Sequence, residues 1–130
     1  MANNQTIIDS CVWVGLIAKN DTNNEKAFRQ LLSLKDKKIK LYDFIYSETQ
    51  TVLRKKLGIN ACKELLALLV KAQIKIETTS QDFYLIANNY FFKFNKLSFP
   101  DCLLLATAMK EKAELVSFDK NLMNAYRTLC

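Results

Sequence analysis

Four short apolar runs, Ile7-Ile8, Ile39 to Ile45, Ile74 to Glu77 and Leu115 to Phe118, punctuate this chain, and each hands over to a helical pattern. Ile39-Lys40-Leu41-Tyr42-Asp43-Phe44-Ile45 and Ile74-Lys75-Ile76-Glu77 alternate with a period of two, as half-buried strands do. Short strands separated by helices cannot pair as hairpins. They pair in parallel through right-handed crossovers, with helices covering both faces. The expected fold is therefore α/β: a three-layer α/β/α arrangement with a central parallel sheet of four or five strands.

The helices are bounded by ordinary start and stop signals. A helical pattern runs from Val12 to about Ala18 and closes in the turn cluster Asn20 to Asn24, and Glu25 to Leu34 repeats Ala27, Phe28, Leu31, Leu32 and Leu34 at helical spacing. Ser47 with Gln50 reads as a capping box, which predicts a helix from there towards Leu57-Gly58. Asn60 is placed to cap a helix over Ala61 to Ala72, and Ser80 to open one through Phe83, Ile86, Ala87 and Tyr90. Ser98-Phe99-Pro100-Asp101 opens a helix rich in small residues that ends near Ala113, and Asp119 caps a last helix containing Leu122, Met123, Ala125 and Tyr126. With 130 residues, two glycines and one proline, residues 1–130 are expected to form a single domain without a linker.

Composition narrows the chemistry. There is no histidine, and Cys11, Cys62, Cys102 and Cys130 are scattered without a CxxC pair, which excludes an ordinary zinc site. The cysteines read as buried free thiols in a reducing compartment. MANNQT is not a signal peptide, and LLALLV at Leu65 to Val70 is too short to span a bilayer, so the expected location is the cytoplasm. A net charge of +6, from 19 basic and 13 acidic residues, points to a polyanionic partner.

Asp9, Glu48, Asp101 and Asp119 each fall where an apolar run meets a polar helix start. In open parallel sheets such positions lie beyond the carboxyl ends of the strands, where ligands bind. Carboxylates gathered without histidine suit a hard divalent cation and, through it, phosphate chemistry. Each acid also has a bland explanation: Asp9 or Ser10 as the N-cap of the first helix, Asp119 as the cap of the last, Asp101 as the partner of Ser98 in a capping box, Glu48 as a first-turn helix acid. If the four converge, their mutual repulsion must raise at least one pKa. Asp9→Asn or Asp101→Asn should then abolish activity while leaving the metal-free fold as stable as before, or more so.

The strings IIDSCVWVGL, YSETQTVLRKK, FPDCLLLATAMK and ELVSFDKNLM, in this order and spacing, resemble a PIN domain, in particular the VapC-type toxin ribonucleases of type II toxin–antitoxin systems. The resemblance runs from Ile7 to about Met123. It implies that the acids matching Asp9, Glu48, Asp101 and Asp119 bind Mg²⁺ or Mn²⁺ and hydrolyse RNA phosphodiester bonds, with Ser10 and Ser117 supporting them. Asp9, Asp101 and Asp119 would hold metal directly or through water, while Glu48 anchors a second metal or orients the attacking water. Two departures stand out: Cys11 occupies a position where a polar residue is frequent, and the segment before Glu48 lacks a common proline. The resemblance also implies homodimers and a cognate antitoxin protein that covers the acids, often with an arginine. The alternatives are a PIN-like RNA- or protein-binding module without nuclease activity and a housekeeping RNA-processing nuclease.

Two other magnesium-dependent folds fit less well. A haloacid-dehalogenase-like phosphatase needs a second Asp two residues after the first, where this chain has Cys11. A phosphoacceptor receiver domain groups paired acids after its first strand and has no counterpart of Glu48. Basic residues expected to meet an RNA backbone are Arg54, Lys55, Lys56, Lys93, Lys96 and Lys120, whereas Lys35 to Lys40 reads as a solvated turn. Phe91, Phe92 and Phe94 read as packing rather than as a base-stacking platform.

Overall fold

The computed structural model describes residues 4–130. The elements run β1 (Gln5–Ile8), α1 (Ser10–Ile17), α2 (Asn24–Ser33), β2 (Lys38–Tyr42), α3 (Asp43–Leu57), α4 (Ile59–Lys71), β3 (Ile76–Glu77), α5 (Gln81–Lys93), α6 (Phe99–Glu111), β4 (Glu114–Val116) and α7 (Lys120–Leu129). Among the described residues the sheet has four strands in the order β3-β2-β1-β4, and every pairing is parallel. Seven helices flank it, giving the expected α/β architecture.

Burial explains which elements are central. Ile7, Ile8, Leu41, Leu115 and Val116 are buried in the sheet, as strands covered on both faces must be. Residues Cys102 to Ala108 of α6 are all buried, and Ala106, Thr107 and Ala108 let that helix lie close to its neighbours. Thr107 satisfies its own hydroxyl by donating to Leu104 O at 2.7 Å. In α1, Trp13 is buried with its indole N–H donating to Ile8 O at 3.1 Å. A Cβ on Gly15 would stand 3.3 Å from Ala27 Cβ and from Asn23 O, so glycine lets α1 and the start of α2 approach.

Several expected boundaries move. The second strand stops at Tyr42, and α3 starts at Asp43, four residues before Ser47. Ser47 is therefore an exposed mid-helix residue whose carbonyl accepts from Thr51 Oγ1, and its capping box with Gln50 does not form. Helix α4 begins at Ile59 after Gly58, whose φ of 93° suits glycine at this junction, so Asn60 is not its cap. Ser80 does precede α5, without a side-chain capping bond. The third strand contracts to Ile76–Glu77, and the fourth ends at Val116, leaving Ser117 and Phe118 beyond it. The thiols are free, but only Cys102 is buried; Cys11 and Cys62 are half-buried and Cys130 is exposed. Among the described residues no helix is long and apolar enough to cross a membrane.

Candidate active site

Strand register brings the first pieces together. Ile8 pairs with Val116, so Asp9 and Ser117 stand side by side one step past the paired ends of β1 and β4, and Asp9 N–H donates to Val116 O at 2.9 Å. Ser117 Oγ donates to Asp9 Oδ2 at 2.6 Å and accepts from Asp119 N–H at 3.0 Å. The hydroxyl thus ties the first acid to the backbone of the last.

On its other side Asp9 caps α1, accepting from Ser10 N–H at 2.7 Å. Ser10 Oγ donates to Glu48 Oε1, which fixes Glu48 relative to Asp9 across α1 and α3. Glu48 reaches the site from the second turn of α3, not the first, because that helix starts at Asp43. Asp101 is the third residue of α6 and closes a capping box: Ser98 N–H donates to its Oδ2 at 3.2 Å, and its own N–H donates to Ser98 Oγ at 3.3 Å. Asp119 caps α7 by accepting from Leu122 N–H at 3.1 Å.

All four acids line one open pocket of about 340 Å³, together with Ser10, Cys11 and Phe118. The capping explanations for Asp9, Asp101 and Asp119 are therefore correct, and so is the convergence. The caps of α6 and α7 each engage one oxygen of a carboxylate that offers about four lone-pair sites, so the same side chains can start a helix and face the pocket. Each helix start also presents a positive dipole end, which tolerates an acid there.

One of the acids titrates away from its ordinary range. Asp101 is pushed above the usual carboxylate range, first by burial and then by the charges of Asp9 and Asp119, against the opposing bonds from Ser98. The expected rise in at least one pKa is present, with desolvation rather than repulsion as its largest cause. Cys11 is raised to about 11 by burial and by Asp9. Its sulfur donates to Asp9 Oδ2 at 3.4 Å and accepts from Phe118 N–H at 3.4 Å. It is thus a structural member of the site that its residue type did not advertise; its place two residues after Asp9 was the available signal.

The donor set suits a hard cation: oxygen ligands only, with no histidine. Among the described residues no three His, Cys, Asp or Glu side chains stand close enough to enclose an ion directly. That spacing still fits magnesium, which keeps several waters and often takes only one or two carboxylates.

None of the six expected RNA-binding residues lines the acid pocket. Lys120 is exposed next to Asp119, and Arg54, Lys55 and Lys56 sit in the last turn of α3, where they also complement the helix dipole. Lys93 and Lys96 line a separate cleft. A further cation, missed in the sequence, stands at the rim: Lys26 Nζ of α2 lies 5.8 Å from the ring centroid of Phe118, which itself lines the pocket. Phe94 packs against the core, whereas Phe91 and Phe92 are exposed.

The fold has close structural counterparts. The crystal structure of Mycobacterium tuberculosis VapC20, described as a sarcin–ricin loop cleaving toxin, superposes with a TM-score of 0.80 over 92% of this chain and 94% of that one, at 20% identity. A toxin–antitoxin complex from Klebsiella pneumoniae matches with a TM-score of 0.68, 19% identity, and coverage of 88% and 86%. A comparison with curated proteins gives no match. The PIN domain family model matches residues 6–127, nearly the whole chain, and the chain belongs to the PIN domain family.

Proposed function

We propose that this chain is a metal-dependent endoribonuclease, the toxin of a toxin–antitoxin pair, with Asp9, Glu48, Asp101 and Asp119 as its catalytic acids and Mg²⁺ or Mn²⁺ as cofactor. The observation that carries the reading is the meeting of four carboxylates, from the end of β1, the starts of α6 and α7 and the second turn of α3, in one open pocket. Membership of the PIN family and the likeness to toxin structures support it. A bound divalent ion would acidify a water and offset charge developing on the phosphate.

The protein's own groups supply orientation. Asp9 is held on both oxygens, by Ser10 N–H and by Ser117 Oγ, so its carboxylate cannot swing when substrate arrives. Ser10 sets Glu48, whose exposed side chain is placed to order a water at the mouth of the pocket. Burial pushes the Asp101 carboxyl above the usual carboxylate range, and a bound cation beside it would favour the charged form. Lys26 and Lys120 flank the pocket and offer charge to the RNA backbone.

The same reading carries a cognate antitoxin partner and homodimers. An antitoxin arginine among these carboxylates would replace the charge of the metal by bidentate hydrogen bonding. The test is cleavage of a labelled RNA pool by purified protein with Mg²⁺ or Mn²⁺ and with EDTA, alongside Asp101→Asn. Metal-dependent cutting that vanishes in the variant is the expected result. Absence of cutting by inhibitor-free protein would leave a PIN-like binding module.

A further inference from the structure

The acid pocket has a neighbour. An open cleft of about 240 Å³ lies between the connection from α5 to α6 and one face of α7. Lys93 and Lys96 form one wall; Asn121, Asn124 and Thr128, spaced along a single stripe of α7, form the other. No acidic side chain lines it, although the acid pocket is close along both walls. One wall continues through Leu97 and Ser98 to Asp101, and the other begins at Lys120, immediately after Asp119.

The chemistry of the lining is specific. Two ammonium groups suit phosphate oxygens as compact point charges. Asparagine amides suit base edges, which present both donors and acceptors, while the Thr128 hydroxyl donates to Asn124 O at 2.9 Å and keeps only its acceptor side for a ligand. Arg127 Nη1 donates to Asn124 Oδ1 at 3.1 Å, so the NH₂ of that amide is the group left to donate. The cleft is a small pocket, unlike the broad surface needed to follow an A-form duplex across its minor groove.

We propose that this cleft binds one unpaired nucleotide of the RNA strand next to the scissile phosphate. Lys93 and Lys96 hold its phosphate, and Asn121 and Asn124 contact its base. The proposal rests on the nuclease reading for the identity of the strand, and it makes the cleft a source of local sequence preference. Sequence-specific RNA recognition generally targets unpaired bases whose edges are open to hydrogen bonding.

The experiment measures binding of fluorescent single-stranded oligonucleotides in EDTA, where no metal-dependent cutting occurs, as a function of salt and of base composition. Lys93→Gln with Lys96→Gln should weaken binding and flatten the plot of log affinity against log salt by about 0.7, the contribution of one neutralised phosphate on a single strand. The comparison pair Lys71→Gln with Lys75→Gln, at the β3 edge of the sheet and far from α7, removes the same charge and should leave the slope near that of the parent. Asn121→Ala with Asn124→Ala should alter the base preference without changing the slope. The cleft is overturned if the two lysine pairs behave alike, if the asparagine pair keeps the parental preference, or if no oligonucleotide binds. Cleft-dependent binding without metal-dependent cleavage would sink the nuclease reading alone; cleavage indifferent to these changes would sink the cleft alone.

Discussion

Asp9 and Asp43 occupy equivalent places in the sheet, yet only one belongs to the pocket. Each follows directly on a central parallel strand, β1 and β2 respectively, and each opens a helix. Each also receives a hydroxyl from just past the end of the neighbouring strand. Ser117 Oγ donates to Asp9 Oδ2 at 2.6 Å, and Thr79 Oγ1 donates to Asp43 Oδ1 at 2.6 Å. The difference lies in what else arrives. Around Asp9 come Glu48, Asp101 and Asp119. Among the described residues the further hydrogen-bond partners of Asp43 are donors, Phe44 N–H at 2.8 Å and Thr79 N–H at 3.3 Å. A strand-end acid is therefore not a site by position; it becomes one where register and helix starts deliver further acids. The β2–β3 end uses the same motif as a lock.

The sharpest way to break this comparison is to neutralise one acid of each kind. Asp101→Asn should lower RNA cleavage by on the order of 10²-fold or more, as expected when a preorganised charged group is lost. The asparagine Oδ1 can still accept from Ser98 N–H and the buried charge is gone, so thermal unfolding without metal should hold or rise. Asparagine at position 9 would set an amide nitrogen against the Ser117 and Cys11 donors, which makes Asp101 the cleaner probe. Asp43→Ala should do the reverse. Losing three hydrogen bonds at a half-buried lock should cost about 1–3 kcal/mol in denaturant unfolding, with cleavage per folded molecule unchanged. A cleavage defect in the Asp43 variant at full folding would erase the distinction.

Smaller effects refine it. Ser117→Ala removes a donor to Asp9 and an acceptor for Asp119 N–H, and should cost about 0.5–1.5 kcal/mol with a partial loss of cleavage. Thr79→Ala should cost a similar amount in stability and nothing in cleavage. The pH dependence has a definite sign. Asp101 in the folded, metal-free protein titrates above its unfolded value of 3.8, so the folded state holds the proton more tightly. Metal-free protein should therefore lose the contribution of this group as pH rises from 3.8 through the raised value. That loss should be missing from Asp101→Asn, measured as unfolding midpoint against pH.

The sequence displayed some of this well and some of it badly. Ser98-Phe99-Pro100-Asp101 and Asp119 were legible because a helix start is a local event, decided by neighbours in the chain. The start of α3 was not. Leu41 and Ile45 are buried along with Thr49 and Leu53, and a spacing of four satisfies both the period of a strand and that of a helix. Alternation over Ile39 to Ile45 thus fitted either element, and the end of pairing at Tyr42 decided between them. Ser47 and Gln50 matched a capping pattern inside a helix already under way. The role of Cys11 and the cation at Lys26 were hidden for another reason: both depend on Phe118, more than ninety residues away, reaching the pocket rim.

The most direct measurement is a thermal-shift titration of Mn²⁺ on three proteins: the parent, Asp101→Asn and Asp43→Ala. A ligand that binds only the folded state raises its stability by RT ln(1 + [L]/Kd). The parent and Asp43→Ala should shift by the same increment with rising Mn²⁺, from different starting midpoints, while Asp101→Asn should show little or no shift. Equal shifts in all three would mean that the four carboxylates do not hold the metal, and would contradict the account.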